Sequence, residues 1–217
     1  MTSSSSTFNI TTIQFALHPT VTLRVTLHRS IHANPHQVVN KLLDLPENTN
    51  SEKFAIFDAT RIISLDQIAV AANSALLRQF QFQQKNGSCG RGLALETILC
   101  CAGSTNTGSV LKDYAFDKHS IAASQSERTN ESHDEKFDVL CIGYCSSDQE
   151  FEDVVSTLGL SDPEPTHQIN EFLSRTRTDK EIQDLMKVYK ITNQEVDTIG
   201  SSLEKAINNR VAAKFHV

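Results

Sequence analysis

Residues 13–28 read IQFALHPTVTLRVTLH. Val21, Leu23, Val25 and Leu27 alternate strictly with Thr22, Arg24, Thr26 and His28, and Ile13, Phe15 and Leu17 alternate in the same way ahead of Pro19. Successive side chains of an extended chain point to opposite faces, so a period of two predicts two strands with one buried face, hinged near Pro19 into an antiparallel pair. A third run, FDVLCIGYC at 137–145, is apolar throughout and reads as a buried strand. Together they predict an antiparallel sheet.

The remaining apolar pattern is helical. Within FAIFDATRIISLDQIAVAANSALLRQF (54–80), Ser64 and Gln67 are spaced as a capping box, and Ile68 to Leu77 is apolar nearly all round, which predicts a central buried helix. A short helix is expected over 36–45, another ending near Cys101, a further one to about Phe116, and one over 150–158. At the C-terminal end, Ile182, Leu185, Met186 and Tyr189 make one stripe behind a Thr178/Glu181 box. Val196, Ile199, Leu203, Ala206 and Ile207 make a second behind Thr192/Glu195, with Gly200 inside that face. Glycine in a helix interior costs roughly 1 kcal/mol relative to alanine, which a close approach by a partner or by the core would offset. Runs of strand pattern and runs of helix pattern in one chain of 217 residues give an α+β fold: a single domain over 10–217 with an antiparallel sheet and helices mainly on one face. The serine-rich start (1–9) and the polar stretch 118–136 are expected to be disordered.

Composition narrows the function classes. No apolar run approaches the roughly 18 residues needed to cross a bilayer, so no membrane role is expected, and MTSSSSTF lacks the basic and apolar regions of an export signal. A cytoplasmic or nuclear setting is expected, with the five cysteines reduced. The net charge of -6 argues against coating nucleic acid by phosphate neutralisation alone, and leaves room for a small local site. His28, His32 and His36 fall four apart, but Pro35 interrupts any common helix, so they read as ordinary surface histidines, and neither a metal nor a cofactor is implied. The turn 102–108 is glycine-bounded and rich in hydroxyl and amide groups. It reads as a helix-capping turn, or as backbone N–H groups offered to an anion, and it is not a P-loop. Signatures of hydrolases, nucleotide-binding folds and metalloenzymes are missing. A cysteine nucleophile, Cys89 or Cys100 with one of eight histidines, is the one catalytic alternative, and Cys100 lies on a helix face expected to be buried.

Three separated segments resemble the PRPK-binding proteins (TPRKB), the small kinase-binding subunit of the KEOPS/EKC complex. They are IISLDQIAVAANSAL (62–76), RGLALETILCCAGSTNTGSVLKDYAF (91–116) and VYKITNQEVDTIGSSLEKAI (188–207). The resemblance implies a non-catalytic subunit that binds a PRPK-like atypical kinase/ATPase directly and the other KEOPS subunits through it. It also implies help in holding the 3′ CCA end of tRNA during threonylcarbamoyl-adenosine formation. Carried onto this chain, the kinase contact falls on Tyr189, Ile191, Ile199, Gly200, Leu203 and Ile207. The RNA contact falls on Lys85, Arg91, Glu96, Ser104, Thr105, Asn106 and Lys112.

Overall fold

The computed structural model describes residues 8–31, 35–45, 51–84, 92–103, 106–108, 110, 136–160, 163–198 and 202–213. The N-terminal hairpin forms as expected, with β1 (Thr11–Phe15) paired antiparallel to β2 (His18–Ile31). The chain turns at Ala16 and Leu17 rather than at Pro19, which lies inside β2 on a stretch that β1 no longer covers. Helix α1 (Pro35–Leu43) follows, then β3 (Phe54–Asp58), α2 (Leu65–Gln84) and α3 (Leu93–Cys101). The chain returns to the sheet with β4 (Phe137–Tyr144) and finishes in α4 (Asp148–Thr157), α5 (Thr166–Leu173), α6 (Asp179–Tyr189), α7 (Asn193–Thr198) and α8 (Leu203–Ala213).

The sheet runs β1-β2-β4-β3 and is antiparallel at every pairing. Ile142 on β4 is the reference point, facing Val25 of β2 on one side and Ala55 of β3 on the other. The edge strand β3 is an addition to the expected sheet. Its sequence, FAIFD, is apolar on both faces, so it lacks the alternation that identifies a half-exposed strand.

That double burial reflects two cores. On one face Leu23, Val25, Leu27, Phe57, Leu140 and Ile142 pack with α2, α3, α5, α6 and α8. On the other, Phe54, Ile56, Val139 and Cys141 pack with Val38 of α1 and with Phe151, Val154 and Val155 of α4. The second layer explains why Arg24, Thr26 and His28, the polar phase of β2, are buried too. Burying them requires partners. Arg24 donates from Nε to Asp148 at 2.7 Å and to the carbonyls of Cys145 and Ser146, stitching β2 to the turn that opens α4. His28 meets the Thr26 hydroxyl at 3.0 Å. Gly143 is the close-packing point of this layer, since a Cβ there would lie 2.7 Å from the rings of both Phe54 and Phe151.

Phe8, within the expected 1–9 tail, packs against the second core together with Ile10, so that end of the tail belongs to the fold. The disorder expected of 1–7 and 118–135 falls outside the described residues. Among the described residues no helix is long and apolar enough to cross a membrane, and no three His, Cys, Asp or Glu side chains cluster to hold a metal.

Candidate functional site

The C-terminal helices are built by the local signals expected of them. Thr178 Oγ1 accepts from the Glu181 N–H, and Glu181 accepts from the Thr178 N–H at 2.8 Å, a complete capping box. Those donors hold the Glu181 carboxyl below the usual glutamate range, the Thr178 backbone N–H most of all. Helix α6 stops at Lys190, which takes the left-handed conformation (φ 54°), and the Ile191 N–H then reaches back to the Met186 carbonyl at 2.8 Å. The Thr192/Glu195 pair starts α7 in the same reciprocal way. The second expected helix, however, is two. Helix α7 ends at Thr198, α8 begins at Leu203, and Ile199 and Gly200 lie outside the described residues. Arg210 of α8 ties the pair by donating to Glu195 at 2.6 Å and to the Lys190 carbonyl at 2.9 Å.

Burial divides the apolar stripes between core and surface. Tyr189, Ile191 and Ile207 are 2%, 6% and 0% exposed, packed with the large core. Their side chains are therefore turned into the protein's own core, whereas the kinase reading expects them at a contact. The Tyr189 hydroxyl donates to the Arg61 carbonyl at 2.9 Å and accepts from Gln67 Nε2. Gln67, wholly buried at the start of α2, takes the Ile63 N–H on its Oε1 at 3.0 Å while Ser64 caps its own N–H, so the expected Ser64/Gln67 box closes one residue early. Leu203, at the first residue of α8, is half-buried, and with Ile182, Met186 and Val196 it forms the partly exposed apolar margin of these helices.

The RNA set divides as well. Glu96 is 2% exposed within α3 and forms an ion pair with Arg78 of α2, so it is a buried ion-pair partner. Asn106 is exposed, and its carbonyl accepts from the Val110 N–H at 3.1 Å. Gly103, in the turn after α3, has φ 56°, a conformation that favours glycine. Lys85, Arg91, Ser104, Thr105 and Lys112 lie outside the described residues. No local pattern marks Arg78, because its partner is 18 positions away and only the packing of α3 against α2 brings them together.

Near the first turn of α3 a cleft of about 380 Å³ opens, lined by Lys53, Glu52, Gln79, Tyr144 and the hydroxyl-bearing start of β2. Tyr144 shares its hydroxyl with Thr97 at 2.7 Å, so its polar end is satisfied. Cys100, Cys101, Cys141 and Cys145 are buried and in no disulfide, and burial pushes Cys101 up, Cys141 to about 12 and Cys145 to about 11. Those three thiols stay protonated at neutral pH, which deprives them of the thiolate a nucleophile needs. Cys89 lies outside the described residues.

This α+β domain carries a half-open apolar margin on its C-terminal helices, and its class is that of kinase-binding proteins. The family model described as "Kinase binding protein CGI-121" matches residues 28–215, and the chain belongs to that family, the one that includes the TPRKB proteins. The comparison with curated proteins gave no match.

Proposed function

We propose that this kinase-binding protein serves in a KEOPS/EKC complex, docking on a PRPK-like atypical kinase/ATPase and helping to recruit tRNA through its 3′ CCA end for threonylcarbamoyl-adenosine formation, in the cytoplasm and nucleus. The observation that carries the proposal is the family match over 28–215, which spans all three segments, 62–76, 91–116 and 188–207, that resemble the PRPK-binding proteins. The partly exposed margin of α6 to α8 supports the kinase side of it, because an apolar helical face only half covered by its own chain suits helix-mediated docking.

Leu203→Glu tests this reading. The substitution puts a carboxylate at the half-buried start of α8, where a negative charge also suits the positive end of the helix dipole. The variant is expected to keep the wild-type circular dichroism spectrum and to lose co-purification with the kinase. Association unchanged at micromolar concentration would reject the assigned face. The tRNA side is tested separately by comparing intact tRNA with tRNA trimmed of its CCA end, and equal binding of the two would reject it.

A further inference from the structure

Helix α7 is six residues long, and none of them is fully buried. Its apolar anchor is Val196, which packs partly buried against the large core. A helix this short does not hold its shape alone, since isolated helices under about 12–15 residues are marginal in water. Its place on the domain therefore depends on what ties it down. Ile191, buried just ahead of it, anchors the incoming chain, and the Thr192/Glu195 box fixes where the helix starts. Neither joins α7 to another helix. Arg210, about two turns into α8, does so. Its Nη2 donates to Glu195 Oε1 at 2.6 Å and to the Lys190 carbonyl at 2.9 Å, so one nitrogen joins α7 and α8 to the end of α6. The Glu195 carboxylate serves both ties at once. Oε2 accepts the Thr192 N–H at 2.8 Å, and Oε1 takes the guanidinium. Among the described residues this is the one side-chain hydrogen bond between α7 and another helix. Arg210 and Glu195 are each 38% exposed, and an ion pair so open to water adds little to the stability of the whole domain. What it does is place α7.

We infer that Arg210 is a positioning residue for kinase binding: by tying Glu195 to the end of α6, it holds Val196 in one margin with Ile182, Met186 and Leu203 before the kinase arrives. The inference rests on the kinase-docking face proposed above and adds the residue that organises it. A surface whose binding arrangement is fully populated binds at its intrinsic affinity. Loosening α7 divides that affinity by the fraction of molecules still correctly arranged.

The full-length protein is titrated against a purified PRPK-like kinase, with both rates measured by surface plasmon resonance. Arg210→Gln is expected to weaken binding by about 3- to 10-fold, the result of a competent fraction falling to between about a third and a tenth. The loss is expected in the association rate, with dissociation within about twofold of wild type, because the assembled complex keeps its contacts. Amide hydrogen exchange should quicken in α7 and stay unchanged in α2, and the unfolding midpoint should fall by no more than about 4 °C. Arg210→Lys, which keeps a charged donor, should recover part of the association rate. Glu195→Gln, which keeps an acceptor for the Thr192 N–H, should act in the same direction as Arg210→Gln. If Arg210→Gln speeds dissociation and leaves exchange in α7 unchanged, Arg210 touches the kinase directly and the inference is overturned. If Arg210→Gln and Glu195→Gln match the wild type in both rates while Leu203→Glu does not bind, the positioning role is wrong and the kinase face stands. If Leu203→Glu binds like the wild type, the face falls and takes the inference with it.

Discussion

Tyr189→Phe is the sharpest test of how the C-terminal stripes divide between core and partner. The substitution keeps the buried ring and removes only the hydroxyl, which bonds the Arg61 carbonyl at 2.9 Å and accepts from Gln67 Nε2. With Tyr189 at 2% exposure and Gln67 at 0%, water cannot replace the lost atom without opening the packing. Each orphaned buried group costs about 1–3 kcal/mol, and two of them place the loss at about 2–6 kcal/mol. For a chain of this size, each kcal/mol lowers the unfolding midpoint by about 2–4 °C, so a fall of about 4–24 °C is expected in a thermal scan. A double-mutant cycle with Gln67→Ala should return a coupling of about 1 kcal/mol or more, since the two side chains touch. Kinase affinity, measured well below the midpoint, should stay within about twofold of wild type, corresponding to under about 0.4 kcal/mol. A variant of unchanged stability that binds the kinase poorly would refute the assignment, because it would show the hydroxyl facing the partner rather than Gln67.

Two further outcomes test the packing and the caps. Gly143→Ala should destabilise by at least about 2 kcal/mol in chemical denaturation, because its methyl group would lie 2.7 Å from two rings that also pack on each other, whereas Gly108→Ala, which meets only Asn106 Oδ1 at 3.6 Å, should not. The Glu181 and Glu195 carboxyls are both held below the usual range in the folded protein, chiefly by the backbone N–H groups they accept, so the stability they add is complete above their unfolded value of about 4.3 and is lost as pH falls through the lower folded values. The double variant Glu181→Gln/Glu195→Gln, which keeps a carbonyl oxygen to accept the same bonds, should therefore show a shallower loss of unfolding midpoint between pH 5 and pH 3 than wild type does.

The sequence carried local information well and long-range information poorly, for a physical reason. The Thr178/Glu181 and Thr192/Glu195 boxes formed as expected because each is closed by groups three residues apart. The phase of β2 was legible because Leu23, Val25 and Leu27 alternate, but alternation marks which side chains differ, not which are exposed. Arg24, Thr26 and His28 look like a solvent face until α1 and α4 are known to cover it. Strand β3 was hidden by its burial on both faces, which erases the period of two. At the candidate site, an apolar stripe looks the same whether it meets its own core or a partner. Ile207 went to the core, while Leu203, on the same stripe, stayed half-open. The Glu96–Arg78 pair has no local signature at all, since it exists only after α2 and α3 fold against each other.

The order of strands in the sheet also sets a timetable for synthesis. Strand β2 needs β4 as its neighbour, and 121 residues separate Arg24 from Cys145, which it grips across that junction. At roughly 5–20 residues per second on the ribosome, the inner edge of the N-terminal hairpin waits about 6–24 s for the strand that covers it. Throughout that interval a long strand with one apolar face presents unpaired backbone groups, the condition under which neighbouring nascent chains pair with each other. Recovery of soluble protein should therefore depend on translation rate and on chaperones that shield the hairpin, even where the finished fold is stable.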